Sequence, residues 1–320
     1  METQPGNQPY VGRFAPSPSG DLHFGSLVCA LASYLDAKAF GGEWLLRIED
    51  IDPPREQPGA KRAMLKCLER HGLFWDREVV YQSQRYHLYR DALHTLASRN
   101  LIYRCSCSRK RLSQLRNEGK NAYDRHCVYT PPPPDRAAAW RLDLNRAQQL
   151  LSGNPLNTHF EDVILGAQHY QLADQGDFVI HRKDGLHAYN LAVVVDDLAQ
   201  GISHVVRGAD LLSSVGPQHI LASALCRALG TAPPLWRYAH IPLVTAQDGG
   251  KLSKQNRAES IDASPATNNI QRALAALRVP VPEPASIEDM LNFGIRNWQP
   301  KRLSGVSRIE YSAVPSSRHP

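Results

Sequence analysis

The sequence lacks the features that mark several large classes of protein. No apolar run approaches the roughly 18–20 residues that span a bilayer, so we expect no membrane-spanning segment and no membrane partner. The polar residues 1–5 carry no basic segment followed by an apolar one, so we expect no secretory leader and a cytoplasmic location. No internal repeat is visible. With 42% apolar and 21% charged residues, the composition excludes a disordered or fibrous chain.

Positive charge is in slight excess over negative charge. The cysteines are few and unevenly placed. The 37 Lys and Arg residues against 31 Asp and Glu residues give a net charge of +6, a weak indication of a polyanionic partner such as nucleic acid. Three of the six cysteines fall within 23 positions, and the other three stand singly in stretches with helical spacing. This distribution favours a reducing compartment, one metal cluster and three buried thiols over disulfides. The cysteines are Cys29, Cys67, Cys105, Cys107, Cys127 and Cys226.

Strands and helices alternate over much of the chain. Residues 9–15 and 43–50 have the pattern of buried strands, and helical spacing is found at about 25–40, at 56–70 and from 83 onward. The βαβα order predicts a parallel sheet with right-handed crossovers. A length of 320 residues predicts about two domains.

The alternation stops between residues 102 and 177, where the clustered cysteines and a run of prolines lie, and we interpret this stretch as an insertion. Strands are predicted again after it, and a helix is predicted at 269–277. About the last twenty residues lack periodicity, which predicts a mobile tail. The predicted division is 1–101 and 178–265 for the two halves of the sheet domain, 102–177 for the insertion and 266–320 for a short helical extension with the tail. The later strands are predicted at 178–182, 202–208 and 241–244.

Two loops have residues suited to binding a nucleotide. In the first, residues 16–26, flexible backbone precedes a helix whose N-terminus favours phosphate. His23 has donors for a phosphate, and Gly25 leaves room for an adenine ring. In the second, residues 248–255, glycines hinge a loop that presents Lys251 and Lys254 to a pyrophosphate. Taken alone, the first loop is equally well explained by a turn that caps a helix, and the second is better explained by a solvated surface loop. It is their combination that predicts a nucleotide site.

The two loops resemble the signature motifs of class I aminoacyl-tRNA synthetases, usually written HIGH and KMSKS. The motifs are His23-Phe24-Gly25-Ser26 and Lys251-Leu252-Ser253-Lys254, and the flanking residues 13–20 resemble the glutamyl branch. The resemblance covers roughly residues 8–260. It implies an α/β fold, in which a Rossmann-like parallel-sheet nucleotide-binding domain carries a small zinc-binding insertion and a short C-terminal helical extension. Ser26 replaces the second His of the signature, which implies that part of the phosphate contact is lost or made differently.

The length of the chain narrows the resemblance further. Glutamyl-tRNA synthetases continue into a helical anticodon-binding half, which the roughly 60 residues after the second motif cannot supply. The shorter plan resembles the glutamyl-queuosine tRNA(Asp) synthetases, ligases that activate glutamate without tRNA and attach it to the queuosine base in the anticodon of tRNA(Asp). It implies L-glutamate, ATP with Mg²⁺ and queuosine-carrying tRNA(Asp) as partners, and a monomer. The alternatives are a synthetase that charges the tRNA 3′ end, a catalytically silent tRNA-binding module and, more weakly, another HIGH-type nucleotidyltransferase.

Several residues have side chains suited to a glutamate substrate. Planar arginines bind carboxylates bidentately, and Arg13 and Arg207 stand at the ends of predicted strands, where open sheets bind ligands. The resemblance gives them the side-chain carboxylate, gives Glu49 the ammonium group and gives Tyr189 a hydroxyl contact; structural ion pairs and simple packing are the alternatives. It makes His23, Lys251 and Lys254 catalytic, with Lys254 stabilising the departing pyrophosphate. The implied glutamate contacts are Arg13, Ala15, Ser17, Glu49, Tyr189 and Arg207, and the implied ATP contacts are Pro16, His23, Gly25, Ser26 and Lys254.

Cys105, Cys107 and Cys127 have a spacing that predicts one structural zinc ion. The fourth ligand is open. His126 is the better chemical ligand, but neighbouring side chains rarely face one tetrahedral centre, and the family pattern implies Tyr123 instead. Three buried thiols without metal are the alternative. Nearby basic residues fit either RNA phosphates or a solvated helix face. These are Arg109, Lys110, Arg111 and Arg116.

Overall fold

A parallel sheet in two parts forms the centre of the molecule, and a computed structural model describes residues 9–119, 123–151, 157–171, 176–245, 261–262, 265–280 and 286–311. In one part β2 lies between β1 and β3, and both pairings are parallel. In the other part the order is β7-β6-β10-β9, parallel except for the β6–β7 hairpin. The predicted parallel α/β fold is therefore confirmed. The strands are β1 (Val11–Phe14), β2 (Glu43–Ile48), β3 (Val80–Tyr81), β4 (Ile102–Cys105), β5 (Ala139–Leu142), β6 (Asn157–Asp162), β7 (Gly166–Gln171), β8 (Val179–His181), β9 (His204–Gly208), β10 (Arg237–Ile241), β11 (Leu243–Thr245) and β12 (Arg308–Glu310).

The two parts of the sheet meet where β1 lies beside β9. The Ser203 backbone N–H donates to the Val11 carbonyl at 2.9 Å, and the Ser203 hydroxyl accepts from the Val11 N–H at 2.9 Å. From this join the chain runs to β2 on one side and to β10 on the other. Such a reversal of strand order opens a crevice at the carboxyl ends of the two strands, which is where open α/β sheets bind ligands.

Helices cover both faces of the sheet because alternate residues of the strands are apolar on both sides. On β2, Trp44 and Leu46 pack into one apolar core, and Leu45 packs into the other. Among the described residues, no helix is both long and apolar enough to cross a membrane. The helices are α1 (Phe24–Ala39), α2 (Ala60–Arg70), α3 (Tyr86–Ser98), α4 (Arg109–Asn117), α5 (His126–Tyr129), α6 (Leu144–Leu150), α7 (Tyr189–Ala199), α8 (Val215–Leu229), α9 (Ala266–Ala276) and α10 (Ile287–Asn297).

The insertion is built on a small antiparallel sheet, β4-β5-β8. Its sheet does not follow the predicted limits of 102–177. Strand β6 lies within those limits but pairs with β10 of the central sheet, and β8, predicted to resume the parallel sheet, pairs with β5. The reason is physical: apolar alternation identifies a strand, whereas the partner of that strand is decided by tertiary contacts.

The C-terminal region contains more structure than its sequence predicts. Helix α9 matches the predicted helix, but α10 is additional. It begins at the N-cap Ser286, whose hydroxyl accepts from the Asp289 N–H, and it buries Met290 and Leu291. Residues 308–310, predicted to be part of the mobile tail, form β12 and pair with β11 in parallel. This pairing attaches the last described residues to β11, the strand that precedes the loop with Lys251 and Lys254.

Two glycines with left-handed backbone provide a matched test of how α10 packs. Gly72 has φ +72°, and a Cβ there would lie 2.9 Å from Ile287 Cγ2 and from Leu291 Cδ1; Gly201 has φ +67°, and a Cβ there would meet nothing within 4 Å. We expect Gly201→Ala to lower the free energy of unfolding by about 1–2 kcal/mol through backbone strain alone. Gly72→Ala adds overpacking and should cost about 2–4 kcal/mol. Urea denaturation measures both, and equal losses would contradict the packing of α10 on Gly72.

Candidate active site

Arg13 lies on β1 at the join of the two sheet parts and is 4% exposed. Its Nε and Nη2 donate to the two carboxylate oxygens of Asp197 on α7, at 3.3 and 3.4 Å. Both contacts are longer than typical charge-assisted hydrogen bonds of about 2.7–2.9 Å. Arg13 is therefore held in a fixed plane by a carboxylate without being tightly bound to it.

The Asp197 carboxylate is shared with a second buried arginine. Arg47 on β2 is fully buried, and its Nη1 donates to Asp197 Oδ1 at 2.6 Å and to Gln200 Oε1 at 2.8 Å. Although burial alone would raise it, the charges of Arg13 and Arg47 hold the pKa of Asp197 below its usual value. Neither Arg47 nor Asp197 is among the residues predicted for the site. For Asp197 the sequence does offer a signal, a pair of adjacent carboxylates in a mostly apolar helix.

Glu49 follows β2 and has its side chain 8% exposed beside these cations. One carboxylate oxygen, Oε1, lies 3.6 Å from Arg47 Nη2, and the backbone N–H of Glu49 donates to the Pro16 carbonyl at 3.0 Å. Burial raises the pKa of Glu49 to about 7, and the charges of Arg47 and Arg13 offset only part of this effect. Glu49 therefore changes its charge near neutral pH.

Tyr189, at the start of α7, lines the same cavity as Glu49. Burial raises the pKa of its hydroxyl, and the charges of Arg207, Glu49 and Arg13 contribute smaller effects on that pKa. Ser17, Glu49 and Tyr189 line a cavity of about 180 Å³. Three of the residues predicted to bind glutamate thus line one cavity, and Arg13 is linked to Glu49 through the ion pairs of Asp197 and Arg47, whereas Ala15 and Arg207 are outside the cavity lining.

Arg207 on β9 is 3% exposed and is held by neutral acceptors. Its Nε donates to His240 Nε2 at 3.0 Å, its Nη1 donates to Gln218 Oε1 at 2.9 Å, and its Nη2 donates to the Leu211 carbonyl at 3.2 Å. Because no carboxylate is among these partners, the positive charge of Arg207 is not neutralised by a direct ion pair within the described residues. A buried cation of this kind favours an anionic ligand.

The first motif forms the N-terminus of α1. His23 is the N-cap, and its Nδ1 accepts from the Ser26 N–H at 3.1 Å. This assigns the proton of a neutral imidazole to Nε2, which lies 3.0 Å from the Ser26 hydroxyl. Ser26 therefore orients His23 from two atoms. A Cβ on Gly25 would lie 3.2 Å from the His23 ring, so glycine keeps the space beside that ring open.

The second motif, with Lys251 and Lys254, lies outside the described residues. The residues that flank it on both sides contact the first motif. On β11, Val244 Cβ lies 3.5 Å from the Cβ position of Gly25, and the backbone N–H of Ile261 donates to the Leu22 carbonyl at 2.8 Å. Val244 and Ile261, the described residues on either side of the second motif, therefore both lie beside the turn that contains the first.

The cysteine cluster in the insertion has the dimensions of a metal site. The sulfurs of Cys105, Cys107 and Cys127 lie within 4.8 Å of one another. The Tyr123 hydroxyl is 3.4 Å from the sulfurs of both Cys105 and Cys107, and the sulfurs of Cys107 and Cys127 are 3.5 Å apart. A tetrahedral zinc ion with Zn–S bonds of about 2.3 Å has ligand atoms about 3.5–3.8 Å apart. The four side chains fit that coordination.

The two candidates for the fourth ligand differ in position. Tyr123 is buried against the cysteines, with the Arg141 guanidinium 4.1 Å above its ring, whereas His126 is exposed and outside the cluster of possible ligand atoms. Although burial raises it, the hydrogen bonds of Cys105 with Tyr123 and Arg141 bring the pKa of Cys105 below its usual value. Of the basic residues nearby, Arg109 and Lys110 are exposed.

Comparison with known proteins defines the class of this fold and site. Residues 10–278 match the model of the catalytic domain of class I tRNA synthetases (E and Q). A glutamate tRNA ligase from Elizabethkingia meningosepticum, crystallised in complex with its amino acid, has the same fold, with a TM-score of 0.74 and 23% identity over 96% of this chain and 68% of that one. The predicted resemblance to class I synthetases is thereby confirmed.

Curated relatives narrow the assignment. Glutamyl-Q tRNA(Asp) synthetase from Vibrio vulnificus is 46% identical over 298 residues, which are 92% of this chain and 91% of the relative. The protein of that name from Pseudomonas syringae pv. tomato is 45% identical, and the match covers 95% of this chain and 98% of the relative. The one from Cronobacter sakazakii is 46% identical, and the match covers 97% of this chain and 95% of the relative. The chain belongs to the glutamyl-Q tRNA(Asp) synthetase family.

The titration of Glu49 can be measured directly. We expect its side-chain carboxyl to titrate with a midpoint of about 7, because burial outweighs the neighbouring arginines. NMR of protein labelled with ¹³C at the glutamate carboxyl, followed from pH 4 to 9, measures the midpoint, and Glu49→Gln identifies the resonance. The exposed Glu43, whose pKa is lowered by its hydrogen bond with Arg77, is the internal reference. A midpoint for Glu49 near the ordinary value of 4.5 would contradict the environment described above.

Proposed function

We propose that this protein activates L-glutamate with ATP, without tRNA, and transfers the glutamate to the queuosine base in the anticodon of tRNA(Asp). The observation that carries the proposal is the position of Arg13 on β1 and Arg207 on the neighbouring β9, with Glu49 linked to Arg13 through Asp197 and Arg47. The backbone N–H of Glu49 also donates to Pro16, in the turn that leads to His23. Relatives about 45% identical over most of the chain are named glutamyl-Q tRNA(Asp) synthetases, which supports the same acceptor.

The charges of the site are complementary to those of glutamate. We propose that Arg13 and Arg207 bind the side-chain carboxylate, that Glu49 binds the ammonium group, and that the Tyr189 hydroxyl adds a hydrogen bond. With a pKa of about 7, Glu49 is protonated in about half of the free molecules at neutral pH. An ammonium group favours the carboxylate form, so binding of glutamate releases the proton. Ala15 and Ser17 complete this part of the site.

The proposed first step forms glutamyl-adenylate. An oxygen of the glutamate α-carboxylate attacks the α-phosphorus of ATP, and the bond to pyrophosphate breaks. His23, the N–H groups at the start of α1, and Lys251 and Lys254 stabilise the phosphates, Lys254 acting on the departing pyrophosphate. Pro16, Gly25 and Ser26 shape the nucleotide site, and Mg²⁺ bound to ATP neutralises its charge. A hydroxyl of the queuosine then attacks the adenylate carbonyl, and AMP leaves.

The acceptor is tested with tRNA pools that differ only in queuosine. We expect ATP, Mg²⁺ and radiolabelled glutamate to label tRNA(Asp) from normal cells and to leave tRNA from queuosine-deficient cells unlabelled. Lys254→Ala should lower the rate roughly 10²–10³-fold, because it removes a charge aimed at the leaving group. The matched control is Lys301→Ala, which removes an exposed lysine that lies outside both motifs.

Other outcomes contradict the proposal in distinct ways. Equal labelling of both pools, carried by tRNA(Glu), would mean that the protein charges the 3′ end. An absence of label on both pools, together with normal binding of tRNA, would mean a catalytically silent module.

We propose further that Cys105, Cys107, Cys127 and Tyr123 hold one structural zinc ion in the insertion. The support is the fit of their ligand atoms to a tetrahedron and the burial of three of the four side chains. Because Cys105 ends β4 and Cys127 lies on α5, the ion ties these two elements together. A bound zinc ion would stabilise the fold of the insertion, because the free energy of zinc binding at structural sites contributes directly to folding.

The choice between Tyr123 and His126 is tested by a pair of variants. We expect Tyr123→Phe to weaken zinc binding at least roughly tenfold, because it removes an oxygen ligand and keeps the ring under Arg141. His126→Asn should bind zinc like the unmodified protein. Metal analysis and competition with a chromogenic chelator measure both. Weaker binding in the His126 variant alone would identify His126 as the ligand, and no zinc in the unmodified protein would exclude the site.

A further inference from the structure

A row of three buried side chains crosses three neighbouring strands at the base of the site. Asp162 ends β6, His240 lies on β10, and Arg207 lies on β9. In the register of the parallel pair β9–β10, Arg207 is directly opposite His240. Their exposures are 1%, 0% and 3%, so all three are out of contact with solvent. The glutamate contacts derived above include Arg207 but neither of its two neighbours in this row.

The hydrogen bonds of the row have one direction. Arg207 Nε is only a donor, so His240 Nε2, 3.0 Å away, accepts. The proton of a neutral imidazole is then on Nδ1, which donates to Asp162 Oδ2 at 2.6 Å. Asp162 also accepts from the backbone N–H groups of Ile164, Leu165 and His240, which fix the carboxylate in place. Burial and the charge of Arg207 lower the pKa of His240, in agreement with a neutral ring at pH 7.

This arrangement leaves Arg207 oriented but able to bind a ligand. Its guanidinium has five N–H groups, and His240, Gln218 and Leu211 accept three of them. Within the described part of the chain, one N–H on each terminal nitrogen is left without an acceptor, and two terminal N–H groups can form a fork to a carboxylate. Since the partner at Nε is a neutral imidazole and not a carboxylate, the positive charge is not compensated at that contact.

We propose that His240, oriented by Asp162, is a positioning residue that sets the plane of the Arg207 guanidinium for the side-chain carboxylate of the amino-acid substrate. The inference rests on the proposed role of Arg207 in glutamate binding. Asp162 selects the tautomer of His240, and His240 accepts the hydrogen bond from Nε of Arg207. The two terminal nitrogens of Arg207 are thereby both directed toward the substrate carboxylate. Asp162 and His240 do not themselves contact glutamate.

Two amide substitutions separate the two ends of the imidazole. The nitrogen of an asparagine amide reaches the position of Nδ1, and the oxygen of a glutamine amide reaches that of Nε2. We expect His240→Asn to keep the bond to Asp162, to lose the acceptor for Arg207 and to raise the KM for glutamate roughly 10- to 100-fold. His240→Gln keeps that acceptor and should restore the KM to within roughly threefold of the unmodified protein. Glutamate-dependent exchange between ATP and pyrophosphate measures both, and the KM for ATP should be unchanged.

Asp162→Asn provides a second route if His240→Asn does not fold. The amide NH₂ of the new asparagine faces Nδ1 of His240 and favours the tautomer with the proton on Nε2. That proton then opposes the Nε–H of Arg207, so the KM for glutamate should rise as in His240→Asn. Equal KM values for glutamate in His240→Asn and His240→Gln would overturn the proposal. It would also be overturned by a KM for ATP that rises in step with that for glutamate, since this indicates general disruption.

A double-mutant cycle with Arg207→Ala distinguishes failure of this inference from failure of the proposed function. If Arg207 binds glutamate, Arg207→Ala alone raises the KM for glutamate, and His240→Asn adds nothing in that background. An unchanged KM in Arg207→Ala would refute the role of Arg207 itself. A full additional effect of His240→Asn in the Arg207→Ala background would show that His240 acts by another route and would overturn the inference alone.

Discussion

The burial of positive charge at the join of the two sheet parts is the constraint on which the rest of the structure depends. Arg13, Arg47 and Arg207 are each at most 4% exposed. Removing a guanidinium from water costs several kcal/mol unless partners replace the lost hydration. Asp197 pairs with Arg13 and Arg47, Asp196 and Glu49 also lie within 4 Å of Arg47, and neutral acceptors hold Arg207. Of the three, Arg207 is the one without a carboxylate partner among the described residues, which favours an anionic ligand at that position.

The two arginines proposed to bind substrate are held by chemically different means. Arg13 is held by the carboxylate of Asp197, which already offsets part of its charge. Arg207 is held by an imidazole, an amide and a carbonyl, which fix its plane and leave its charge uncompensated by them. A rigid cation with neutral partners needs no rearrangement when an anion arrives, and such preorganisation reduces the free-energy cost of binding.

Features that depend on local spacing can be predicted from this sequence, whereas pairings between distant segments cannot. The turn at His23 and the cysteine spacing are local, and the structure brings the residues they suggest together. The bond between Arg13 and Asp197 joins residues 184 positions apart, and no local pattern indicates it. Helix α10 escapes prediction because prolines at 280, 282 and 284 precede it and conceal the capping signal at Ser286. His240 escapes because a lone histidine on a strand has no pattern at all.

The neighbourhood of β1 and β9 also has a consequence for how the chain acquires its fold during synthesis. Val11 and Ser203, which join the two strands, are 192 positions apart. At about 5–20 residues per second, a ribosome needs roughly 10–40 s to make the intervening chain. During that interval one edge of β1 has no strand to pair with, and an unpaired edge is a template for association with other chains. The early half of the sheet is thus the part of the nascent protein most dependent on chaperones or on a fast translation rate.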